Sequence, residues 1–171
     1  MPLQTLSSFS TVSALALERR ETSTILSDIA TIDTNVKALT STVNNYNGGL
    51  FGTIPITNAE ITLDKSIQQG TRDAQAASQL SSEDSNSILA AIQNLSPDIE
   101  ASLKAVESKK SQFAAAGLTS TVRNDLAQLK TDTDDFANAL IAIASADTKT
   151  QANAEKTTID NDFQAAIKYF N

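Results

Sequence analysis

The stretch ILSDIATIDTNVKALTSTVNNY, residues 25–46, decides the fold class. Large apolar residues recur along it at alternating steps of four and three, at Ile25, Ile29, Ile32, Val36, Leu39, Val43 and Tyr46. Such steps place side chains on one face of an α-helix, whereas a half-buried strand alternates every second residue. The sequence therefore predicts an amphipathic helix whose apolar face must be buried against other helices.

The middle of the chain repeats this helical period behind recognisable start signals. Thr57 and Glu60 have the spacing of a capping box, which predicts a second helix that ends near Leu80. Ser81 and the acidic residues after it predict the start of a third helix, with Ile88, Ile92 and Leu95 on its inner side.

Ser96 and Pro97 have the form of an N-cap followed by proline at the first helical position, so a fourth helix is predicted to begin there. Gly117 is predicted to end it, a fifth helix starts near Thr119, and the last carries Ile159, Phe163, Ala166 and Phe170. No segment alternates like a strand. The prediction is an all-α, antiparallel bundle of five or six helices joined by short loops.

Composition excludes several functional classes. The chain of 171 residues contains no His and no Cys, which removes the usual zinc ligands, cysteine nucleophiles and any Ser-His-Asp triad. No phosphate-binding glycine motif is present, and the net charge of −7 opposes binding to nucleic acid. We therefore expect neither an enzyme nor a metal or other cofactor. No segment approaches the ~20 apolar residues of a membrane span, so stable membrane insertion is not expected.

The first twenty residues have features of a removable leader. They are mildly apolar, contain Ala14-Leu15-Ala16 in the form of a signal-peptidase site, and end in the dibasic pair Arg19-Arg20. They lack a positively charged start, and Ser and Thr dilute their apolar run. The prediction is a signal or pro-segment over residues 1–20 and a secreted helical domain over 21–171.

Two irregularities in the stripes bear on function. Gly70, Ala74 and Ala77 occupy successive positions on the inward face of the second helix. Thr133 lies at a position of the fifth helix where the helical period predicts a large apolar residue. Small residues can let two helices pack closely, and the threonine can bond its own i−4 carbonyl. The alternative is an elongated apolar central cavity with a single hydroxyl, because an underfilled core either collapses or takes a guest. Ser66 and Ser145 are the next candidates for the polar contact.

The connection NGGLFGTIP, residues 47–55, is unusually apolar for a loop. Its glycines can supply turns with positive φ. Phe51 and Ile54 are interpreted as a lid over one end of the cavity, and the alternative is a loop that simply plugs the end of the bundle.

The chain resembles the fungal cell-wall galactomannoprotein family, also called the hydrophobic surface-binding protein A family. The resemblance lies in the N-x-Y-x-G-G end of the first helix, in KKSQF…GL (residues 109–118), and in the closing TTIDNDFQAAIKYF (residues 157–170). It covers nearly all of residues 21–171. Members of the family are secreted, helical and either attached to the cell wall or released from it. Some of them bind long-chain fatty acids such as arachidonic or palmitic acid in a central tunnel.

The resemblance implies a secreted or cell-wall monomer that sequesters or carries a long-chain fatty acid, as in virulence-type capture of host lipid, with cell-wall polysaccharide as a further partner. The implied alternative is a surface-active wall protein that adsorbs to hydrophobic surfaces, and a plain structural bundle is the third possibility. The predicted lipid-binding residues are Phe51, Ile54, Leu63, Ile67, Gly70, Ala74, Ala77, Ile92, Leu103, Phe113, Leu126, Leu129, Thr133, Phe136, Leu140 and Phe163.

Two expectations concern modification. The sequence shows no Ser/Thr/Pro-rich stalk and no apolar C-terminal tail, so no GPI anchor is expected. Asn94-Leu95-Ser96 is a glycosylation sequon, but Pro97 follows it directly. We therefore expect a free secreted domain, and the sequence leaves glycosylation open.

Overall fold

The first helix extends well beyond the quoted stripe. A computed structural model describes residues 7–171, with side chains from residue 16 onward, and in it helix α1 spans Ser7–Asn44. Every residue of the stripe from Ile25 to Tyr46 is buried. The helical period of the sequence therefore identifies the face that forms the core.

The other elements are helical as well. They are a 3₁₀ turn (Phe51–Thr53) and the helices α2 (Ile54–Ala76), α3 (Ser82–Ser108), α4 (Lys110–Ala115), α5 (Thr119–Ile143) and α6 (Lys149–Tyr169). No strand occurs within residues 7–171, and the all-α class is confirmed. None of the described helices is long and apolar enough to cross a membrane.

Two predicted boundaries are confirmed by their local bonds. The Ser81 hydroxyl accepts a hydrogen bond from the Asp84 N–H and caps α3. Gly117 has φ +74°, and the N–H of Leu118 donates to the carbonyl of Phe113 at 2.9 Å. This is the Schellman arrangement, in which glycine adopts the left-handed conformation that ends a helix.

The predicted capping box at Thr57 is wrong. Helix α2 begins three residues earlier at Ile54, directly after the 3₁₀ turn, and Thr53 is its N-cap residue without a side-chain cap bond. Pro55 in the first turn accounts for the early start, because its fixed φ suits that position and its missing N–H is not needed there. Thr57 and Glu60 are consequently interior helical residues.

The predicted break at Pro97 is also wrong. Helix α3 continues through Pro97 from Ser82 to Ser108. A proline inside a helix removes one backbone bond and costs ~3 kcal/mol. Leu95 and Ile99 on either side are buried, and α3 packs along both α1 and α6, so tertiary packing outweighs the local cost.

The five long helices form a closed ring. Helix α1 packs between α2 and α3, α3 packs on α6, α6 on α5, and α5 returns to α2. No two long helices on opposite sides of this ring pack directly against each other in the part of the chain that is described. A ring of five without contacts across it leaves space along its axis.

The two ends of the ring are held by different contacts. At the lower end, the Tyr46 ring stacks on Phe113 with centroids 4.8 Å apart, and Phe113 meets Phe170 edge to face. At the upper end, the N–H of Leu80 donates to the Ile143 carbonyl at 2.8 Å. Aromatic packing closes one end, and backbone bonds between loops tie the other.

The predicted leader remains a prediction. Residues 1–6 lie outside the described residues, while residues 7–20 continue α1. Within this segment, a carboxylate oxygen of Glu18 accepts a hydrogen bond from the Ser81 N–H at 2.7 Å. Cleavage after residue 20 would remove this contact.

Candidate functional site

The space inside the ring is an apolar cavity of about 290 Å³. All five long helices contribute to its wall, with Val36 from α1, Leu63 from α2, Ile99 from α3, Leu129 from α5 and Ile159 from α6. The lining extends from Phe113 near the lower end to Thr148 at the upper end. The volume lies near the lower end of the range of ~300–1,000 Å³ for small-molecule pockets.

Most of the predicted lipid-binding residues meet at this cavity. Those that line it are Leu63, Ile67, Ile92, Leu103, Phe113, Leu126, Leu129, Thr133, Phe136, Leu140 and Phe163. They come from the five helices α2 to α6 and are brought together by the ring topology. Their contact with a lipid remains a prediction.

The small residues of α2 lie outside the cavity lining. A methyl group added at Gly70 would come within 3.0 Å of the Phe136 ring and 3.5 Å of Asp28 Cβ, so α1 and α5 both approach the backbone there. Ala74, one turn further along, is 0% exposed, and Ala77 is the C-cap residue of α2. The structure corrects the cavity interpretation of these positions, because they are small where neighbouring elements pack closely.

The two predicted lid residues point into solvent. The side chains of Phe51 and Ile54 are 84% and 55% exposed and do not line the cavity. Gly48 and Gly49 adopt the predicted positive φ angles of 104° and 82°. The structure corrects the lid interpretation, because the turn carries Phe51 and Ile54 away from the axis while Thr53 and Ile56 line the cavity instead.

Thr133 lines the cavity with a free hydroxyl. Threonines in helix interiors of this chain typically donate to the carbonyl four residues earlier, as Thr131 does to Ala127 at 3.0 Å. Within residues 16–171, Thr133 Oγ1 makes no hydrogen bond to the protein. The back-bonded alternative for this residue is therefore wrong, and its hydroxyl can meet a guest.

The two reserve candidates for the polar contact lie elsewhere. Ser66 Oγ donates to the Leu63 carbonyl at 2.7 Å, and Ser145 Oγ is bonded to Thr148 Oγ1 at 3.2 Å. Neither serine lines the cavity. Thr133 is thus the one residue of this predicted set that fits the role geometrically.

Ser102 of α3 is a cavity residue that sequence reasoning missed. It is 7% exposed, lines the cavity, and its hydroxyl has no protein hydrogen-bond partner in the described part of the chain. Its position between Ile99 and Val106 on the apolar stripe was the available signal. A serine on that stripe is as unusual as the threonine at position 133.

One wall of the cavity is acidic. Glu60 of α2 and Asp125 of α5 both line it, and Asp64 and Asp132 continue the row where the two helices meet. Burial, then the charges of Asp125 and the other carboxylates, raises the pKa of Glu60, and burial raises the pKa of Asp125. A guest with a carboxylate head group is therefore expected to keep that head group away from this wall.

Asp64 and Asp132 form a carboxyl pair within that wall. Burial, followed by the hydrogen bond and the charge of Asp132, raises the pKa of Asp64 to about 6, although Gln68 and Lys65 act in the opposite direction. Two carboxylates in contact cannot both be ionised without cost, so the pair favours a shared proton.

The other side of α5 is an ion-pair network with α6. Lys130 contacts Asp134 at 2.6 Å and Asp160 at 3.3 Å, and Lys156 contacts the same two carboxylates at 2.9 and 2.8 Å. Burial acts to raise the pKa of Asp134, but hydrogen bonds with Asp160 and both lysines outweigh it and lower the pKa to about 2. Lys156 also lines the cavity, at a height close to that of Thr133.

The family can be assigned at this point. The family model described as hydrophobic surface binding protein A matches residues 22–142, which cover the ring from α1 to α5. The chain belongs to the hydrophobic surface binding protein A family. The predicted resemblance is confirmed.

Cell wall mannoprotein 1 of Aspergillus fumigatus is a relative of this chain. It is 31% identical over 114 residues, which cover 67% of this chain and 39% of the relative. The aligned part of this chain thus corresponds to well under half of that protein's length.

Solved structures share the ring architecture. The crystal structure of AfMP4p in complex with palmitic acid is 39% identical, with a TM-score of 0.86 over 88% of this chain and 99% of that chain. Ligand-binding domain 2 of the Penicillium marneffei MP1 protein, solved with multiple arachidonic acids, has a TM-score of 0.79 at 19% identity over 84% and 92% of the two chains. At that identity the second match shows the fold alone.

Proposed function

We propose that this protein binds a long-chain fatty acid within its helical ring and thereby sequesters or carries it. The observation that carries the proposal is the apolar cavity of about 290 Å³ that runs through the ring. Apolar side chains that line an unfilled space lose the packing contacts that stabilise a core, so a guest that fills the space is favoured. The likeness to AfMP4p, which was solved with palmitic acid, supports the choice of guest.

The alkyl chain provides most of the affinity. Burying about a dozen methylenes contributes ~10 kcal/mol, and association costs at least ~4 kcal/mol. The balance of ~6 kcal/mol corresponds to a dissociation constant of roughly 40 μM, and a neutral hydroxyl contact of ~1 kcal/mol lowers that constant to roughly 7 μM. Selectivity should therefore follow chain length and shape more than the head group.

We place the carboxylate of the guest near Thr133. Its hydroxyl lacks a protein partner within the described residues, and Lys156, whose ammonium contacts the neighbouring Asp134 at 2.9 Å, also lines the cavity. Glu60 and Asp125 make the lower wall acidic, so this wall repels the carboxylate head of a fatty acid. The lower half of the cavity therefore suits the alkyl tail. The guest then lies with its head in the upper half of the ring and its tail toward Phe113.

A cavity-filling variant tests this proposal. Ser102→Phe places a ring in the cavity where a small side chain now leaves space, whereas Ser102→Ala is the matched control that removes the hydroxyl and keeps the space. We expect the dissociation constant of a fluorescent fatty acid to rise about tenfold or more in Ser102→Phe and to change by about fivefold or less in Ser102→Ala. Equal binding by both variants would place the guest outside the ring.

A second function is favoured by the exposed turn at the lower end. Leu50, Phe51 and Ile54 are 61%, 84% and 55% exposed and lie close together in the chain, which suits adsorption to a hydrophobic surface. Replacing Phe51 and Ile54 with Ser should reduce retention on an alkyl-coated solid and leave fatty-acid binding unchanged. Unchanged retention would remove this second function.

The remaining parts of the proposal concern context. We propose a secreted or cell-wall location, which the relation to cell wall mannoprotein 1 supports. We also propose a binding protein and not an enzyme, because the chain contains no His and no Cys. A monomeric state is supported by the net charge of −7, and cell-wall polysaccharide is the further partner to test.

A further inference from the structure

The lower tip of the ring carries most of the exposed apolar side chains. We define the lower tip as residues 41–59, 105–124 and 165–171, which are the lower ends of the long helices with the turns that join them. Within residues 16–171, six large apolar side chains are exposed to solvent. Four of them lie at the lower tip, namely Leu50, Phe51, Ile54 and Tyr169. Apolar residues that gather on one surface in this way mark an interaction site.

The turn that presents Phe51 is anchored to the core. The Tyr46 hydroxyl donates to the Gly49 carbonyl at 3.2 Å, and a methyl group added at Gly52 would come within 3.1 Å of the Tyr46 ring. Tyr46 itself is buried and stacks on Phe113. The chain is thus held against the core on both sides of Phe51, whose side chain is 84% exposed. The exposure of this ring is built into the fold.

The lower tip is basic, although the chain as a whole is acidic. Its charged residues are the four cations Lys109, Lys110, Arg123 and Lys168 and the single carboxylate Glu107. With four basic residues and one acidic residue, the tip has a formal net charge of +3, whereas the whole chain has −7. Such a local excess of positive charge attracts anions to one end of the molecule.

The cations of the tip have no carboxylate partners. None of the four takes part in an ion pair within residues 16–171. The Lys109 ammonium donates to the Tyr46 carbonyl at 2.8 Å, and the Lys110 ammonium donates to the Tyr169 carbonyl. The Arg123 guanidinium donates to a neutral amide oxygen at 3.3 Å. The two lysines cap the lower ends of α1 and α6, and their charge remains available to an external anion.

The cavity reaches the surface within the same tip. Thr57 of α2 and Thr121 of α5 line the cavity and are also exposed to solvent. Thr57 follows Ile54 by about one helical turn, and Thr121 lies two residues before Arg123. The mouth of the cavity is therefore bordered by an exposed apolar residue on one side and by a cation on the other.

Two carboxylates lie just above the tip. Glu60 and Asp125 line the cavity about one helical turn beyond Thr57 and Thr121. A flat surface that touches the tip meets its cations and apolar side chains first. Contact with a surface is therefore governed by the residues of the tip, and the two carboxylates act inside the mouth.

We propose that the lower tip docks on a lipid bilayer that contains anionic phospholipid. Phe51 and its exposed apolar neighbours enter the interface, and the four cations face the phosphate groups. Apolar side chains beside Lys and Arg are the combination with which peripheral proteins bind anionic membranes. This inference rests on the proposed function, because docking places the mouth of the cavity on a source of fatty acid.

Vesicle flotation with the wild-type protein tests the docking directly. The two probes are vesicles of phosphatidylcholine alone and vesicles of phosphatidylcholine mixed with phosphatidylglycerol. We expect the partition coefficient to be about tenfold or more higher on the mixed vesicles, because each basic residue near an anionic surface contributes roughly fivefold. Raising NaCl from about 20 mM to about 500 mM should remove most of this preference by screening. Equal partition onto both kinds of vesicle would overturn the proposal.

A charge variant assigns the preference to the tip. Arg123→Gln/Lys168→Gln leaves the capping lysines in place and should lower partition onto mixed vesicles about twentyfold. Arg72→Gln/Lys149→Gln is the matched control, since it removes one arginine and one lysine from the upper half of the ring. Its partition should stay within about twofold of the wild type. Equal losses in the two variants would overturn docking through the tip.

An apolar variant tests insertion of the exposed ring. Phe51→Ser should lower partition onto mixed vesicles about tenfold, because the apolar area that enters the interface is lost. Ile61→Ser is the matched control, since Ile61 is also exposed but lies on α2 outside the tip. A loss in Ile61→Ser as large as that in Phe51→Ser would overturn the assigned orientation on the bilayer.

Two further measurements separate the docking from the functions proposed above. Retention on an uncharged alkyl-coated solid should be unchanged in Arg123→Gln/Lys168→Gln, because that solid offers no phosphate, and a loss there as large as on vesicles would overturn the role of the cations. Fatty-acid binding is measured in solution without vesicles. A protein that binds fatty acid but does not prefer mixed vesicles overturns the docking while the proposed function stands. A protein that prefers mixed vesicles but binds no fatty acid overturns the proposed function while the docking stands.

Discussion

The two sides of helix α5 use similar residues with opposite electrostatic results. Toward α6, two lysines and two aspartates alternate in a network with contacts of 2.6–3.3 Å. Toward α2, Glu60 and Asp64 lie near Asp125 and Asp132, and no ion pair joins the two helices in the described chain. Each side is partly buried, so the sign of the neighbouring charge decides whether the seam is held or loosened.

The two seams therefore respond to pH in opposite senses. The pKa of Asp134 is lowered to about 2, so its stabilising effect is present at neutral pH and is lost as the pH falls below ~4. The pKa of Asp64 is raised to about 6, so its pair is most favourable below pH ~4 and loses stability as the pH rises through about 6. We call the α5–α6 side, which ion pairs join, the fixed side, and the α2–α5 side, which has raised carboxyl pKa values, the loose side.

The largest expected effect comes from removing the cations of the fixed side. Lys130→Met/Lys156→Met leaves Asp134 and Asp160 facing each other without a counterion. We expect the free energy of unfolding at pH 7 to fall by about 3 kcal/mol, because four ion-pair contacts are lost from a partly buried seam and two carboxylates are left without a counterion. Urea denaturation measures this loss, and an unchanged midpoint would contradict the assigned role of the network.

A smaller loss is expected where α2 is closely packed. Ala74→Phe should lower the free energy of unfolding by about 2 kcal/mol, since a large side chain has no space there. Ser102→Phe, which points into the cavity, should cost much less. Thermal melting of the two variants compares them, and equal losses would show that the cavity does not accept the added ring.

On the loose side, one substitution should increase stability. Asp64→Asn replaces a repelling carboxylate with an amide that can donate to Asp132, and we expect a gain of about 1 kcal/mol at pH 7. The gain should disappear near pH 4, where the wild-type pair already holds its proton. Paired urea titrations at the two pH values check this, and a gain that does not depend on pH would contradict the assignment.

The smallest effect is expected at the polar contact inside the cavity. Thr133→Val keeps the shape of the side chain and removes the hydroxyl, so fatty-acid binding should weaken by about 1 kcal/mol, or about fivefold. Its effect on a neutral alkane-like probe should be negligible. Competition with a fluorescent fatty acid measures both, and an equal loss for the two ligands would assign Thr133 a packing role only.

The sequence was sufficient for the features that depend on local chemistry. The stripe from Ile25 to Tyr46, the cap at Ser81 and the left-handed Gly117 each follow from residues close together in the chain. Eleven of the predicted lipid-binding residues line the cavity, because a helical stripe fixes which side of each helix faces inward.

The features that depend on contacts between distant parts of the chain could not be predicted from local sequence patterns. Pro97 is carried inside α3 by packing on two other helices, and Gly70 is small because Phe136 approaches it from α5. The return of α5 to α2, which closes the ring, pairs helices far apart in sequence. The acidic wall arises only from that pairing, since Asp64 and Asp132 lie 68 positions apart.

Native mass spectrometry of the delipidated protein with palmitic acid tests the binding claim most directly. The protein should gain the mass of bound fatty acid at micromolar concentration, and Ser102→Phe should lose most of that adduct while Ser102→Ala keeps it. A wild-type protein that remains ligand-free under these conditions, or an adduct that Ser102→Phe retains in full, would contradict a fatty-acid site inside the ring.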